Sequence, residues 1–399
     1  MPHYPYLIVG AGMTADAAVR GIREVDSTAP IGIIGNEPDP PYNRPPLSKA
    51  LWKGKPLDSV WRKTDELGVE LHLKRSVRMI DPLNRRATDD TGAVYTFQKC
   101  LLATGGTPRL LPFGGDQIIY FRTLDDYRHL RSLADERQRF VVVGGGFIGS
   151  EIAAALAMNQ KEATIIVPEQ GIGARVFPTD LGRSLVEYYR QKGVEVLTGA
   201  AVTDVDERGE RIGVQVRDRE TGRARELVVD GVVAGIGLLP NVELARAAGL
   251  AVENGIVVDE LLRTSHPDVF AAGDVAAFDN PALGNRIRVE HEDNANVMGR
   301  QAGRAIAGQA EPYRHLPFFY SDLFELGYEA VGEVDARLEL VADWTEPYRE
   351  GVVYYLRDGR VRGVLLWNVW DQVDAARRLI AEPGPVRPAD LKGRLPESR

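Results

Sequence analysis

The sequence of 399 residues predicts an α/β protein in which one strand–glycine turn–helix–strand unit occurs twice and is followed by a small α+β domain. In the first copy, an apolar strand leads into a turn at Gly10, and residues 31–34 form the next strand. The second copy repeats this order with a turn at Gly144 and a strand at residues 164–167. The C-terminal part is rich in aromatic, strand-like runs with an Asp-Gly hairpin signal at residues 358–359.

Composition limits the class of protein. A chain of this length is too long for one ordinary core and indicates two or three domains. Hydrophobic residues make up 44% and charged residues 27%, as in globular proteins, and the net charge of −8 argues against nucleic-acid binding. No apolar run reaches the ~18 residues that could span a bilayer, and no signal peptide is recognised at the N-terminus, so the expected location is the cytoplasm.

Both glycine turns have the spacing that dinucleotide-binding proteins need. In such a turn the first glycine allows the sharp bend, and the second lets the backbone approach a pyrophosphate. The helix that follows offers unpaired N–H groups and a positive dipole end. The positions concerned are Gly10, Gly12 and Ala15 in the first copy and Gly144, Gly146 and Gly149 in the second. A single glycine turn is weak evidence, but two complete copies make two ordinary turns a poor alternative.

An acidic residue follows the second strand of each copy. Glu37 and Glu169 are both placed to accept hydrogen bonds from a ribose 2′-OH. Two sites imply two dinucleotides, and the useful pair is FAD with NAD(P)H, because a flavin accepts a hydride and passes electrons onward. The carboxylate of Glu169 repels a 2′-phosphate, and the nearest basic residue, Arg175, lies six positions on, so NADH is favoured over NADPH.

The repeat divides the chain into two Rossmann-like dinucleotide-binding domains and a C-terminal α+β domain. The predicted boundaries are 1–116 with 245–315 for FAD, 117–244 for NAD and 316–399 for the last domain. Residues 227–233 are expected to form a strand, and residues 293–307 and 371–381 are expected to form helices. The Pro-rich tail after Pro383 is expected to be loose.

Cysteine and histidine usage narrows the chemistry. Cys100 is the single cysteine, so the chain has no intramolecular disulfide and no CxxC pair. It lies on an apolar strand, which is typical of an inert core residue. None of the six histidines has metal-ligand spacing, so no metal is expected.

The chain resembles a family of glutathione-reductase-like flavoproteins that contains apoptosis-inducing factor and the ferredoxin reductases of bacterial oxygenases. The resemblance covers nearly the whole chain. Within the family, the chain more closely resembles apoptosis-inducing factor, through residues 289–293, 319–323, 327–330 and 365–368. The other motifs lie at 41–49, 103–109, 144–151, 271–276 and 288–291.

This resemblance implies roles for individual residues. Lys49 is implied to pair with Glu151 beside flavin N5, and His291 to lie at the pyrimidine and nicotinamide end, so these three are the candidate catalytic residues. Arg44 is implied to lie close to the isoalloxazine, Asp274 on the ribityl chain, and Phe147 over the nicotinamide pocket. The full FAD set is Gly10, Gly12, Ala15, Glu37, Arg44, Lys49, Ala103, Thr104, Gly105, Asp274, Glu290, His291 and Tyr320. The NAD set is Gly144, Gly146, Phe147, Ile148, Gly149, Glu151, Glu169 and Gly237.

Each of these assignments has a plainer alternative. Lys49 could be a surface lysine, Glu151 an acid favoured by the helix dipole, and His291 a satisfied polar residue. The predicted Lys49–Glu151 contact would join the FAD domain to the NAD domain, so it would form only if the two domains dock. The helix after His291 is expected to point its positive end at the edge of the reduced flavin where negative charge develops.

Two departures from the family pattern affect the functional hypotheses. Tyr320 stands where a tryptophan is expected, and His291 with Glu292 occupies a stretch in which oxygenase reductases carry a tryptophan. The leading hypothesis is an NADH oxidoreductase that passes electrons to a quinone, dye, oxygen or small iron–sulfur protein. The alternatives are a dedicated ferredoxin reductase, and an interaction protein that holds reduced flavin and NAD⁺ and changes its association state, with a homodimer as one possible assembly.

Overall fold

The computed structural model describes residues 1–396 and divides into two compact units. The first unit contains Met1–Arg44, Leu57–Thr107 and Leu239–Phe318. The second contains Pro45–Pro56, Pro108–Leu238 and the described residues from Phe319 onward.

The described residues form seven α-helices and 26 strands. In chain order the helices are α1 (Met13–Val25), α2 (Leu124–Glu136), α3 (Phe147–Met158), α4 (Thr179–Gln191), α5 (Glu243–Ala247), α6 (Glu292–Ile306) and α7 (Val373–Ala381). The first thirteen strands are β1 (His3–Val9), β2 (Ile31–Ile34), β3 (Glu70–His72), β4 (Val77–Asp81), β5 (Arg86–Asp89), β6 (Val94–Leu102), β7 (Gly106–Pro108), β8 (Ile118–Tyr120), β9 (Arg139–Val143), β10 (Glu162–Val167), β11 (Glu195–Thr198), β12 (Ala200–Arg208) and β13 (Arg211–Asp218). The remaining strands are β14 (Ala224–Val229), β15 (Gly231–Ala234), β16 (Leu238–Pro240), β17 (Val252–Glu253), β18 (Gly255–Val257), β19 (Val269–Ala271), β20 (Ala276–Asn280), β21 (Asn285–Ile287), β22 (Phe318–Leu323), β23 (Leu326–Gly332), β24 (Glu339–Glu346), β25 (Glu350–Arg357) and β26 (Arg360–Trp367).

The first unit is built on a sheet in the order β3-β2-β1-β6-β5-β4, in which β3, β2, β1 and β6 are parallel and β5 and β4 are antiparallel. Strand β19 also pairs in parallel with the carboxyl end of β6. Val9, at the end of β1, pairs with Ile34 on one side and Leu102 on the other. The first glycine turn therefore leaves the sheet at the carboxyl ends of three neighbouring strands, where open α/β sheets bind ligands. Helices α1 and α6 pack so closely that a side chain at Gly303 would clash with the carbonyl of Ala18.

The second unit contains three sheets. A parallel sheet in the order β11-β10-β9-β15-β8 carries the second glycine turn at the end of β9. Strands β12, β13 and β14 form an antiparallel sheet, and the C-terminal sheet has the order β22-β23-β26-β25-β24 with α7 against it. Asp358 and Gly359, both at positive φ, make the tight β25–β26 turn that the Asp-Gly pair predicts. The predicted fold class, two dinucleotide-binding domains with a small C-terminal sheet domain, is confirmed.

The prediction of one strand over residues 227–233 is wrong, because Asp230 turns the chain between β14 and β15, which belong to different sheets. The Asp230 carboxylate accepts the backbone N–H groups of Gln138 and Arg139, which fixes this turn at the start of β9.

The expectation that the tail after Pro383 is loose is wrong for the residues that the structure describes. Leu391 and Leu395 are buried. The backbone N–H of Leu395 donates to the hydroxyl of Tyr354, and that of Val386 donates to the carbonyl of Gly359. The tail therefore packs on the C-terminal sheet, since its two leucines bury apolar surface there. The residues beyond 396 lie outside the described part of the chain.

The segment Pro45–Pro56, assigned from the sequence to the first domain, belongs to the second unit. Its two 3-10 turns, Pro45–Ser48 and Ala50–Lys53, pack against α3. The side chain of Asn159 also donates to the carbonyl of Trp52. These contacts tie the segment to the unit that carries the second glycine turn. Among the described residues, no helix is long and apolar enough to cross a membrane.

Candidate functional site

The first glycine turn has the shape of a pyrophosphate cradle. Gly10 has φ +110°, and a Cβ there would lie 2.1 Å from the carbonyl oxygen of Ala103, so only glycine fits. A Cβ on Gly12 would meet nothing within 4 Å, which leaves open space in front of the backbone. Helix α1 begins directly afterwards, and Gly12 supplies no side-chain cap for its N–H groups. The turn thus fits the pyrophosphate of a dinucleotide.

The predicted ribose acceptor Glu37 forms an ion pair with Arg44. Its carboxylate accepts a 2.5 Å hydrogen bond from the guanidinium of Arg44 and another of 2.5 Å from the hydroxyl of Tyr42. Burial opposes the charge of Arg44, but Tyr42 and Glu37 outweigh this effect and raise the pKa of Arg44. The sequence-based assignments put Glu37 and Arg44 at opposite ends of one cofactor, whereas the structure joins them. Arg44 is therefore tied to Glu37 beside the first glycine turn, and the charge of Asp274 also acts on its guanidinium.

Arg62 holds the loop that carries Arg44, a role that no sequence motif indicates. Its guanidinium donates to the buried carboxylate of Asp16 at 2.7 Å, to Asn43 at 2.7 Å and to Asn296 at 2.8 Å. The three acceptors lie on α1, the 41–44 loop and α6. One side chain thus fixes three segments around the first glycine turn.

The predicted 103–105 segment is held by a residue that the sequence analysis did not single out. The side-chain amide of Asn241 donates to the backbone carbonyl of Thr104 at 2.9 Å, and the backbone carbonyl of Asn241 accepts from the Thr104 hydroxyl at 2.8 Å. Its backbone N–H donates to the carbonyl of Gly105 at 3.0 Å. The backbone N–H of Ala103 bonds to the carbonyl of Val9, beside the glycine turn.

Asp274, Glu290 and His291 lie near one another at the N-terminus of α6. Arg288 donates to the backbone carbonyl of Asp274 at 3.0 Å and to the Glu290 carboxylate at 2.8 Å. His291 precedes the first turn of α6. The protein atoms around its partly exposed imidazole lower the pKa of His291 to about 4 by desolvation, although Asp274 and Asp293 oppose the shift. His291 is therefore neutral near pH 7.

The start of α6 differs from the expected positive helix end. Glu292 and Asp293 occupy its first turn, and Asp293 is hydrogen-bonded to His315 at 2.5 Å. Two carboxylates in the first turn offset much of the positive potential of a helix N-terminus. The expectation that this helix end stabilises a reduced flavin stays a prediction.

The second glycine turn repeats the geometry of the first. Gly144 has φ +105°, and a Cβ there would lie 2.5 Å from the carbonyl oxygen of Gly235. A Cβ on Gly146 would have only the Gly235 oxygen within 4 Å, at 3.9 Å, so the backbone is open to a ligand. Gly149 lies so close to the Gly144 carbonyl that no side chain fits. Helix α3 begins at Phe147 without a side-chain cap, and this turn also fits a pyrophosphate.

The rim of the second turn contains Glu169 and Arg175. The guanidinium of Arg175 lies 3.4 Å from the Glu169 carboxylate, and its side chain is 88% exposed, so the pair is weak. Gly237, at φ +101°, accepts the backbone N–H of Arg109 at 2.9 Å.

Lys49 and Glu151 form a buried ion pair within the second unit. The ammonium lies 2.7 Å from the carboxylate, and the two side chains are only 11% and 2% exposed. Ser48 donates to the other carboxylate oxygen at 2.5 Å, and Ser321 donates to the same oxygen as Lys49 at 2.5 Å. The predicted pair is present, but both residues belong to one compact unit. The expectation that their contact reports domain docking is therefore wrong.

Aromatic side chains lie next to this pair. The ring of Phe147 lies 4.9 Å from that of Phe319, and Ile148 beside it is partly exposed. Tyr320, the residue in place of the expected tryptophan, has its ring centroid 5.4 Å from the Lys49 ammonium, within the range of a cation–π contact. Tyr320 is therefore a neighbour of the candidate catalytic lysine.

Cys100 lies in the middle of β6 and is fully buried. Burial raises the pKa of the Cys100 thiol well above its usual range. A thiol with so little thiolate is a poor nucleophile, as the sequence predicts for a core residue. In the described part of the chain, no cluster of His, Cys, Asp or Glu has a metal-ligating arrangement.

Two dinucleotide-type turns with a buried lysine–carboxylate pair define an oxidoreductase that works with two nucleotide cofactors. Residues 4–302 match the model of the pyridine nucleotide-disulphide oxidoreductase family, and the chain belongs to this family. Residues 302–347 and 343–382 match the C-terminal domain described as "Apoptosis-inducing factor, mitochondrion-associated".

Similar proteins include an apoptosis-inducing factor and reductases of bacterial oxygenase systems. Apoptosis-inducing factor 1, mitochondrial, from Dictyostelium discoideum is 33% identical over 94% of this chain and 78% of its own length. The ferredoxin–NAD(+) reductase component of the anthranilate 1,2-dioxygenase system from Burkholderia cepacia is 34% identical over 97% of both chains. The solved covalent putidaredoxin reductase–putidaredoxin complex superposes with a TM-score of 0.89 at 29% identity, over 98% of this chain and 96% of that one.

Family membership establishes the cofactors and the reaction class. The family and its ferredoxin reductase members use FAD and NAD(H), and this chain is a FAD-dependent NAD(H) oxidoreductase. Both the leading hypothesis and the ferredoxin reductase alternative fall within this class. The family name includes disulphide reduction, but a single buried cysteine cannot form the redox pair that this branch of the chemistry needs.

Proposed function

We propose that NADH is the preferred donor, that Lys49, Glu151 and His291 act at the redox end of the bound FAD, and that the electrons leave to a separate acceptor. Bound FAD supplies a ring that accepts a hydride and releases electrons onward. The observation that carries the proposal is the Lys49–Glu151 pair, with its 2.7 Å contact and low exposure. Desolvating two charges is costly, and their mutual contact with two further donors compensates that cost.

In this proposal the chain's own groups position the reactants. Lys49 offers a hydrogen-bond donor at the flavin N5 edge, and Glu151 holds that lysine in place. His291 is neutral near pH 7 because desolvation by the surrounding protein atoms lowers its pKa to about 4, so its imidazole can accept as well as donate a hydrogen bond. Phe147 shields the nicotinamide face from water.

FAD orientation follows from the first glycine turn. We assign the pyrophosphate to Gly10 and Gly12, and the adenosine ribose to Glu37. Arg44 and Tyr42, which bond to Glu37, orient its carboxylate. Asp274 is assigned to the ribityl chain, in keeping with its position near His291.

The NADH preference rests on Glu169. Its carboxylate repels a 2′-phosphate and accepts from a 2′-OH, whereas the exposed Arg175 beside it is only loosely held. Comparing kcat/KM for NADH and NADPH tests this directly, and an enzyme that favours NADPH would remove the role of Glu169.

A ferredoxin-type iron–sulfur protein is the first acceptor to test. It is favoured by the similarity to a reductase solved in complex with putidaredoxin. A quinone is the second acceptor. The third hypothesis is an interaction protein that holds reduced flavin with NAD⁺ and changes its association state. A cytoplasmic location and a homodimer stay predictions.

The deciding experiment is stopped-flow reoxidation of the NADH-reduced protein with a ferredoxin, a quinone and oxygen. Fast reoxidation by one of them identifies the acceptor class. Slow reoxidation by all three, together with a change in sedimentation upon NADH addition, would favour the interaction protein. A purified protein that is colourless and takes up no FAD would refute the whole proposal.

A further inference from the structure

Three consecutive residues at the start of the C-terminal sheet contact the candidate redox site. Along β22, Phe319 packs on Phe147, Tyr320 lies beside the Lys49 ammonium, and Ser321 bonds to Glu151. The next residue, Asp322, pairs instead with Lys53, with its carboxylate 3.5 Å from that ammonium. All these residues belong to the second unit. The strand is thus a part of the site and not merely a neighbouring support.

Glu151 accepts hydrogen bonds from three side chains in a space that is closed to water. Lys49 and Ser321 share one oxygen, at 2.7 and 2.5 Å, and Ser48 donates to the other at 2.5 Å. Ser48 is 5% exposed and Ser321 is 1% exposed. A buried carboxylate needs such donors, because leaving one of its oxygens unsatisfied carries the full cost of desolvation.

The other groups that face Glu151 cannot replace the serines. Tyr189 and Tyr328 are buried near it, and their pKa values are raised by burial and by the charge of Glu151. The hydroxyl of Tyr189 donates to the backbone carbonyl of Ser150, and that of Tyr328 is hydrogen-bonded to Ser321. Neither tyrosine hydroxyl is directed at Glu151, so Ser48 and Ser321 are the neutral donors that hold the carboxylate.

We propose that Ser48 and Ser321 are positioning residues that hold the Glu151 carboxylate oriented toward Lys49, so that the C-terminal sheet acts on the redox site through one hydroxyl. This inference rests on the proposed role of Lys49 and Glu151. Ser48 lies next to Lys49 in the chain and fixes the carboxylate from that side. Ser321 reaches it from β22 and fixes it from the opposite side.

The test uses the FAD-loaded full chain with Ser48→Ala, Ser321→Ala and the double variant. The ion pair exists only while Glu151 is ionised, so the rate of flavin reduction by NADH should fall at low pH. Removing a donor makes the carboxylate easier to protonate. The acid limb of the rate profile should therefore move to higher pH by about one to two units in each single variant, the effect of losing one hydrogen bond to a charged group.

Ser150→Ala is the matched control. Ser150 is a buried serine next to Glu151, but its hydroxyl donates to the backbone carbonyls of Gly146 and Phe147. This variant should keep the wild-type acid limb. The Ser48→Thr and Ser321→Thr variants retain a hydroxyl and should keep most of the wild-type profile. A merely structural role for the serines would change stability without moving the acid limb.

A second measurement is independent of turnover. Infrared difference spectra of the FAD-loaded protein should show the protonated carboxyl band of Glu151 at higher pH in the alanine variants, with Glu151→Gln as the assignment control. If both alanine variants keep the wild-type acid limb and the wild-type band, the inference is refuted while the NADH reaction stands. If NADH fails to reduce the wild-type flavin, the proposed function fails, and the infrared titration still decides the role of the serines.

Discussion

Replacing Lys49 with methionine removes one charge of the buried pair while keeping the length and apolar body of the side chain. The change leaves Glu151 as a buried carboxylate with only its two serine donors, Ser48 and Ser321. Glu151→Gln makes the reciprocal change and leaves the Lys49 ammonium without its anion. Loss of one hydrogen bond to a charged group costs roughly 1.5–3 kcal/mol. Each variant should therefore reduce its flavin about 10- to 100-fold more slowly, at about 1.4 kcal/mol per factor of ten.

The double variant is the decisive member of the set. Because each single change already breaks the same 2.7 Å contact, the second change should add little. The reduction rate of the double variant should thus lie close to that of the slower single variant. The assay is rapid mixing of each oxidised, FAD-loaded protein with excess NADH, following the flavin absorbance. FAD content measured beforehand separates lost cofactor from slow reduction.

Lys53→Met provides the matched control for this experiment. Lys53 lies on the same short segment, and its partner Asp322 is 3.5 Å away, but their side chains are 42% and 40% exposed. An exposed pair of this kind contributes little, so the control should reduce at nearly the wild-type rate. Losses that multiply fully in the Lys49–Glu151 double variant would refute the reasoning, since the two residues would then act separately.

Three further results are expected. Glu169→Ala should lower kcat/KM for NADH by about 10- to 100-fold, because one hydrogen bond to ribose is lost. The ratio of kcat/KM for NADH to that for NADPH should also fall, because Arg175 is released. If adding Arg175→Ala to the Glu169→Ala variant leaves kcat/KM for NADPH unchanged, the Arg175 guanidinium does not contribute to NADPH binding. Asp89 is buried, and hydrogen bonds from Thr91 and Tyr95 outweigh that desolvation and lower its pKa to about 2. Its stabilisation is thus fully present above about pH 4 and is lost as the pH falls toward 2. Asp89→Asn should lower the free energy of unfolding by about 2 kcal/mol at pH 7 in urea titrations, and a difference that stays constant down to pH 2 would contradict this. Cys100 should not react with a thiol reagent in the native protein and should react fully after unfolding; fast native labelling would show that β6 opens.

The sequence predicts the parts of the fold that depend on local backbone geometry. Gly10 and Gly144 adopt positive φ in turns that no other residue would fit, so their pattern is visible along the chain. The same holds for the Asp358-Gly359 hairpin. The apolar strands on either side of each glycine turn are buried in their sheets, which is why they are easily recognised.

Features set by long-range packing escape the sequence. Residues 227–233 are apolar except for Asp230 and Gly231, so they look like one strand in the sequence. The turn that carries the chain from one sheet to the next depends on hydrogen bonds from the backbone of Gln138 and Arg139. The position of residues 45–56 depends on contacts with α3, far away in the chain.

The candidate site likewise contains residues that the sequence can predict and residues that it cannot. The Lys49–Glu151 pair could be expected only through resemblance to a family, because its members are more than 100 residues apart. The roles of Ser48, Ser321 and Asn241 are invisible in the sequence, since serine and asparagine are common and their partners are chosen by the fold. The sequence does not predict the Glu37–Arg44 ion pair, because the distance between the two side chains depends on how the loop of residues 35–44 folds.

The burial of Cys100 also makes the chain a convenient background for site-specific labelling. The sequence contains one cysteine, and that side chain lies at 0% exposure in the centre of a sheet. A cysteine introduced at an exposed position would therefore be the sole accessible attachment point, without first removing a native residue. Dyes or spin labels placed in this way, for example one in each compact unit, would report distances in the working, FAD-loaded enzyme.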